Sequence, residues 1–174
     1  MTAPSPWVTR FADQISPGGS VLDVACGSGR HSRLFAERGH AVTAIDLNIG
    51  SLGEISTHDL VTPVEVDLED GSAFALAGQL FDGVIVTNYL WRPLFGDLIA
   101  ALKPGGVLIY DTFAKGNEKF GRPRNPDHLL SPGELLEIVR NRNLVVLAYE
   151  HGEVSNPAPA VRQRICAQRA SNQI

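Results

Sequence analysis

The run Val21-Leu22-Asp23-Val24-Ala25-Cys26-Gly27-Ser28-Gly29-Arg30-His31 concentrates the chemistry of this sequence. An apolar segment ends in a turn with glycines at alternate positions, and a helix-forming segment follows. Gly27 and Gly29 permit backbone angles closed to other residues and let a ligand approach the main chain. Free amides at a helix start suit a carboxylate or phosphate. Asp46, 17 residues beyond Gly29, closes the next apolar run. A carboxylate there can accept both hydroxyls of a ribose.

Two cofactor classes fit a strand, a glycine turn and a ribose acid. The nicotinamide and flavin pattern G-x-G-x-x-G needs a third glycine where this chain has Ser32. Asp23, inside the first strand, would repel a pyrophosphate and is compatible with a ligand bearing an ammonium and a sulfonium. A nicotinamide-dependent reductase is therefore disfavoured.

Asp23-Val24-Ala25-Cys26-Gly27-Ser28-Gly29 resembles the acid-x-Gly-Cys-Gly-x-Gly motif of class I S-adenosylmethionine-dependent methyltransferases, with Ala25 in place of the first glycine. Further segments match the family in order: Asp46, Asp67-Leu68, Phe81-Asp82-Gly83-Val84-Ile85, and Leu102-Lys103-Pro104-Gly105-Gly106-Val107-Leu108. The resemblance implies S-adenosylmethionine as cofactor, contacted by Asp23, Ala25, Gly27, Ser28, Gly29, Asp46, Leu47, Asp67, Leu68 and Tyr89. Gly27 and Gly29 would face the methionine part, Asp46 the ribose and Asp67 the adenine, with Tyr89 bordering the methionine end. It also implies a Rossmann-like three-layer fold with sheet order 3-2-1-4-5-7-6 and strand 7 antiparallel. A looser likeness extends to compact bacterial methyltransferases of the tellurite-resistance type and carries no substrate with it.

The acceptor is expected beyond the carboxyl ends of the strands, at Thr87 to Arg92 and Asp111 to Leu130. The stretch after the fourth strand lacks the Asn/Asp-Pro-Pro-aromatic sequence of enzymes that methylate amide or base amino groups. Residues 115–128 carry Lys115, Lys119, Arg122 and Arg124 against Glu118 and Asp127, a local balance of +2. Trp91, Arg92, Arg122, Arg124 and His128 are the candidate substrate contacts, with this loop a mobile lid and Arg122 or Arg124 facing inward. An anionic acceptor would suit its arginines; a solvated surface loop is the plain alternative. Tyr89, Asp111 and His128 are candidate bases or orienters. Methyl transfer from a sulfonium is an in-line displacement that asks mainly for alignment, so no catalytic dyad is required.

The elements that must position these residues alternate strand-like and helical runs, which predicts a mainly parallel sheet covered on both faces. Helices are expected over Trp7 to Ile15, Arg30 to Arg38, Leu94 to Leu102, and from Ser131 to about Asn141, the last with Ser131 as cap, Pro132 first and Glu134 in the capping box. Strands are expected at 21–25, 40–45, 64–66, 81–87, 107–111, 144–149 and 161–167. Asn48 to Thr62 is poor helix material. The last two strands are joined too briefly for a crossover, so they should be antiparallel.

At 174 residues the chain suits one domain, 1–174. Its net charge of −4 offers no global field for nucleic acid. Its start shows no secretory pattern and no apolar run is long enough to span a bilayer. Cys26 and Cys166 show no metal-ligand spacing, so no metal site is expected, and both are read as reduced thiols of a cytoplasmic protein. The expectation is an S-adenosylmethionine-dependent methyltransferase acting on a small molecule. The alternatives are a nucleic-acid methyltransferase using the basic loop and a non-catalytic S-adenosylmethionine-binding module.

Overall fold

A computed structural model describes residues 3–171. Seven strands form one sheet: β1 (Ser20–Val24), β2 (Ala41–Asp46), β3 (Val61–Glu65), β4 (Phe81–Thr87), β5 (Leu102–Phe113), β6 (Leu144–Val154) and β7 (Ala160–Arg169). Their order is β3-β2-β1-β4-β5-β7-β6. The first five are parallel, and β7 is antiparallel to both β5 and β6. This is the α/β three-layer Rossmann-like arrangement expected. The chain crosses over between β1 and β4, so the crevice at their carboxyl ends lies where the winding reverses.

Helices α1 (Pro6–Phe11), α2 (Arg30–Glu37), α3 (Phe95–Ala100) and α4 (Glu134–Arg140) cover the two faces. Trp7, Val8 and Phe35 pack with Val21, Ile85 and Ile109 on one side. Phe95, Leu98, Leu135 and Val139 pack with Val84, Leu108 and Tyr110 on the other. Alternate residues of the central strands point to opposite faces, which is why β1, β4 and β5 read as continuous apolar runs.

Several boundaries differ from the sequence reading. The first helix stops at Phe11, and a 3-10 turn over Ala12–Gln14 continues it. Ser5 starts α1, its hydroxyl accepting from the Trp7 amide at 3.2 Å. Residues Ile49–Thr57 form 3-10 turns broken at Gly53, whose φ is 57°. Pro104-Gly105-Gly106, ahead of the strand expected at 107–111, lies inside β5 as an irregularity where the β4–β5 register shifts. The fourth helix begins at Glu134, after Gly133 in the left-handed region. Ser131 is not its cap: the Glu134 carboxylate instead accepts from the Ser131 amide at 2.7 Å, half of the expected capping box.

Candidate functional site

The β1–α2 turn is shaped by left-handed residues. Ala25, Gly27 and Gly29 have φ of 50°, 53° and 70°. A Cβ on Gly29 would stand 2.6 Å from Leu52 Cδ2 and 2.8 Å from Ile55 Cγ2, so glycine is required there by packing as well as by φ. A Cβ on Gly27 would meet nothing within 4 Å, because that face opens into the crevice. The hollow it borders measures about 340 Å³ and is lined by Ala25, Gly27, Ser28, Arg30, Asn88 and Tyr89 among others.

Asp46 ends β2 beside this turn. One carboxylate oxygen accepts from the Gly27 amide at 2.9 Å and the other from the Asn48 amide at 3.0 Å. A second hollow, about 420 Å³, runs from Ala25 and Tyr89 past Asp46 and Leu47 to Asp67 and Leu68. Leu47 is 65% exposed there. An apolar side chain left in solvent beside two carboxylates suits a flat apolar ring carrying polar edges. Asp67 turns one oxygen to the Glu69 amide at 2.8 Å, leaving the other without a partner among the described residues. Tyr89 borders both hollows, held by its carbonyl, which accepts from the Tyr110 hydroxyl at 2.9 Å. Its own buried hydroxyl has no partner among the described residues. Burial, first of all, and then Glu69 raise its pKa well above the usual phenol value, so it stays protonated. Glycine cradle, two acids, exposed leucine and free phenol together fit an adenosine joined to an amino acid.

Asp23 lies outside these hollows. It is buried under the turn, and its carboxylate accepts from the Ser32 hydroxyl at 2.6 Å. Burial pushes its pKa up to about 6, opposed by the Ser32 bonds. Ser32, the residue that breaks the nicotinamide fingerprint, is therefore the partner of the acid that disfavoured the same cofactor. Cys26 borders the glycine-turn hollow with a buried side chain, and burial raises its thiol pKa far above the usual range.

On the other side of Asn88 a third hollow, about 280 Å³, is lined by Ser5, Arg30, Asn88, Asp111, Arg162 and Arg164 among others. The register places Thr87 opposite Asp111 and Asp111 opposite Arg164. Asp111 accepts from the Ser5 hydroxyl at 2.7 Å, Arg162 Nε at 2.6 Å and Arg164 Nε at 3.2 Å. Fully committed to these donors, it is an orienter of arginines and no free base. His31, buried beneath, accepts at Nε2 from the Ser5 amide at 3.0 Å. Burial and the Arg30 charge lower its pKa to about 3, so it is neutral.

The loop candidates fall elsewhere. Arg122, Arg124 and His128 are exposed and line none of these hollows, which corrects the expectation of an inward-facing lid. Two anchors explain the difference. Asn117, buried in the loop, accepts from the Val161 amide at 3.1 Å. Arg92 grips Glu134 at 2.6 and 3.1 Å and the Asp127 and Leu129 carbonyls at 2.8 and 3.0 Å, so its guanidinium ties the loop to α4. Trp91 lines a separate hollow with Asp67, Leu68 and Phe74, and does not reach the arginine-lined one. Sequence reasoning missed Ser5, Arg30, Arg162 and Arg164, and placed Asn88 only within the segment Thr87 to Arg92. The available signal was Arg162-x-Arg164, which alternation places on one face of the last strand. Asp82, from the fourth-strand motif, sits at the opposite end of the sheet, bonded to Ser20 and Lys103.

Comparison with known proteins agrees with this geometry. Residues 21–106 match the family model described as "Methyltransferase domain". Over 111 residues the chain is 36% identical to a ubiquinone biosynthesis O-methyltransferase of Azotobacter vinelandii, covering 59% of this chain and 48% of the relative. Over 107 residues it is 34% identical to a malonyl-[acyl-carrier protein] O-methyltransferase of Salmonella typhimurium, covering 56% and 40%. The chain thus spans about half or less of the length of these curated relatives. The crystal structure of TehB from Haemophilus influenzae superposes with a TM-score of 0.77 at 20% identity, covering 97% of this chain and 63% of that one. A methyltransferase structure from Methanosarcina mazei gives 0.75 at 17% identity, covering 98% and 100%. Those two show the fold alone. The segment that matches, residues 21–106, is thus the one that holds the glycine turn, Asp46 and Asp67 on the Rossmann-like sheet.

Proposed function

We propose that this chain transfers a methyl group from S-adenosylmethionine to a small-molecule acceptor. The observation that carries the reading is the continuity of the crevice. The hollow at the glycine turn shares Ala25 and Tyr89 with the Asp46–Asp67 hollow, and Arg30 and Asn88 with the arginine-lined one. A donor seated over the turn, Asp46 and Asp67 has an acceptor compartment adjoining it. When bound, the cofactor supplies a methyl group activated by its sulfonium.

The chain's own residues align the partners and exclude water. Asp46 and Asp67 offer acceptors to ribose and adenine edges, Gly27 and Ser28 offer main chain, and Tyr89 closes the wall between compartments. Asp111 is taken by two arginines, the His31 Nε2 lone pair by an amide, and Tyr89 stays protonated. Asp46 and Asp67 face the adenosine side, so the residues named around the acceptor compartment supply no ready proton acceptor at neutral pH. The reading follows that the acceptor atom reaches the site with an available lone pair.

The test is incubation with methyl-labelled S-adenosylmethionine and a fractionated metabolite extract, alongside calorimetry with the donor and with NADH. Donor binding and label in a low-mass product are expected. NADH binding without donor binding overturns the reading, label in an RNA fraction moves the acceptor to nucleic acid, and donor binding with no labelled product indicates a binding module.

A further inference from the structure

We propose that the arginine-lined hollow is an anion site that anchors a carboxylate of the acceptor, away from the atom that is methylated. The word acceptor rests on the methyl-transfer reading; the anion site rests on its own side chains.

Three guanidinium groups, of Arg30, Arg162 and Arg164, line this hollow against the single carboxylate of Asp111. Arg162 is fixed in place. Its Nε and Nη2 donate to Asp111 Oδ1, Asn88 Oδ1 and the Asp111 carbonyl at 2.6, 2.6 and 3.1 Å, and its guanidinium carbon lies 4.5 Å from the centre of the Phe113 ring. Nη1 is left without a partner among the described residues. Among the described residues Arg30 donates only from Nη1, to the Ala3 carbonyl at 3.2 Å. Arg164 is drawn to Asp111 and, at 3.5 Å, to Glu150. Burial and then the neighbouring Arg162 hold the proton affinity of Arg30 below its usual value, a strain that an anion between the two relieves. Partly buried guanidinium groups with unused donors match the planar, two-oxygen geometry of a carboxylate.

Two considerations fix which carboxylate it is. Arg30 borders both the glycine-turn hollow and the outer one, whereas Arg162 and Arg164 line only the outer one. The cofactor's own carboxylate therefore leaves the two β7 arginines unused. A carboxylate held by guanidinium donors is also a poor nucleophile. Its lone pairs are occupied, and esterification would discharge it, so the arginines would stabilise the ground state over the transition state. An acid anchored here instead extends along Asn88 toward Tyr89 and presents another atom to the donor.

The test titrates benzoate and, separately, benzamide into isotopically labelled protein saturated with S-adenosylhomocysteine, following arginine Nε–Hε resonances. Benzoate is expected to shift the Arg30 and Arg162 signals; benzamide is not. Arg30→Gln and Arg162→Lys, the latter keeping a cation beside Asp111, should each weaken benzoate binding about tenfold. Arg122→Gln/Arg124→Gln should leave it unchanged. Equal response to benzamide, unchanged affinity in both site variants, or displacement of S-adenosylhomocysteine by benzoate overturns the anion site. A base-labile methyl ester as enzymatic product overturns the anchoring role. If labelled donor is turned over while the benzoate arms fail, only this proposal falls. If benzoate binds as expected to protein that binds no donor, the methyl-transfer reading falls and the anion site stands.

Discussion

On the side of the β1–α2 turn the crevice wall is largely main chain; beside β5 and β7 it is guanidinium and carboxylate. The first wall comes from one short stretch, Ala25 to Arg30, whose shape rests on left-handed backbone at Ala25, Gly27 and Gly29. The second gathers residues 5, 30, 88, 111, 162 and 164, which only the sheet brings together. The first wall should fail through strain or a misplaced Cβ and the second through unbalanced buried charge, so substitutions in the two should leave different signatures.

The largest effect is expected from the charged wall. Asp111→Ala leaves Arg162 and Arg164, both nearly buried, without their shared carboxylate. Removing one partner of a buried ion pair costs about 3–5 kcal/mol. Urea denaturation should show that loss, and a double variant with Arg162→Met should recover part of it. A loss below about 1 kcal/mol, the range of exposed pairs, would mean that water screens this network and that the two walls do not differ as described.

Within the main-chain wall, two glycines separate strain from access. Gly29→Ala adds a Cβ at 2.6 and 2.8 Å from Leu52 and Ile55 in a left-handed residue, and should cost roughly 2–4 kcal/mol of stability. Gly27→Ala meets open space and should cost only about 1 kcal/mol. Its Cβ enters the crevice, so calorimetry should show donor affinity falling further than stability does. Equal stability losses in the two variants would show that packing behind the turn is irrelevant.

This contrast also explains what was legible in the sequence. A turn of left-handed residues must be written locally, and the spacing of Gly27, Gly29 and Asp46 exposes it. Parallel strands buried on both faces write themselves as apolar runs; the five parallel strands and the closing antiparallel pair were all placed, with ends misjudged where 3-10 turns and the Pro104–Gly106 irregularity intervene. Residues 115–128 were misplaced because by composition they look like a basic lid. Asn117 and Arg92 pin that loop through contacts more than 30 residues away in sequence, which no local pattern reveals. Arg162 and Arg164 were visible as a pair, but their partner Asp111 lies in another strand.

A smaller, pH-dependent effect is expected at Asp23, beneath the turn. Burial raises its folded pKa from 3.8 to about 6. Between those values the folded state keeps a proton that the unfolded chain has lost, so stability falls as pH rises through this window and the cost is complete above it. The upper bound is roughly 3 kcal/mol. Asp23→Asn removes the charge and keeps an acceptor for Ser32, but buries an amide donor, so the expected gain at pH 7.5 is roughly 1–2 kcal/mol. The difference should shrink steadily toward pH 4. A difference independent of pH would show that Asp23 is not the group titrating.

The smallest expected effect, and the sharpest test of the strained wall, is Ala25→Gly. Ala25 holds φ of 50°, a region that costs an L-residue about 1–2 kcal/mol and glycine almost nothing. Glycine also gives the unfolded chain more freedom, which offsets about 0.4–1 kcal/mol. The balance is a gain of roughly 0.5–1 kcal/mol, readable as a higher urea midpoint at unchanged slope. Because Ala25 borders both the glycine-turn and the Asp46 hollows, removing its methyl group also widens the passage between them. Donor affinity should nonetheless move little, since neither Asp46 nor the Gly27 amide that binds it is touched. The same substitution leaves the arginine wall untouched, so benzoate binding should be unchanged. Destabilisation by glycine would mean that the Ala25 methyl group packs more favourably than its φ is costly. The turn would then owe its shape to side-chain contacts, and the contrast between a main-chain wall and a side-chain wall would be lost.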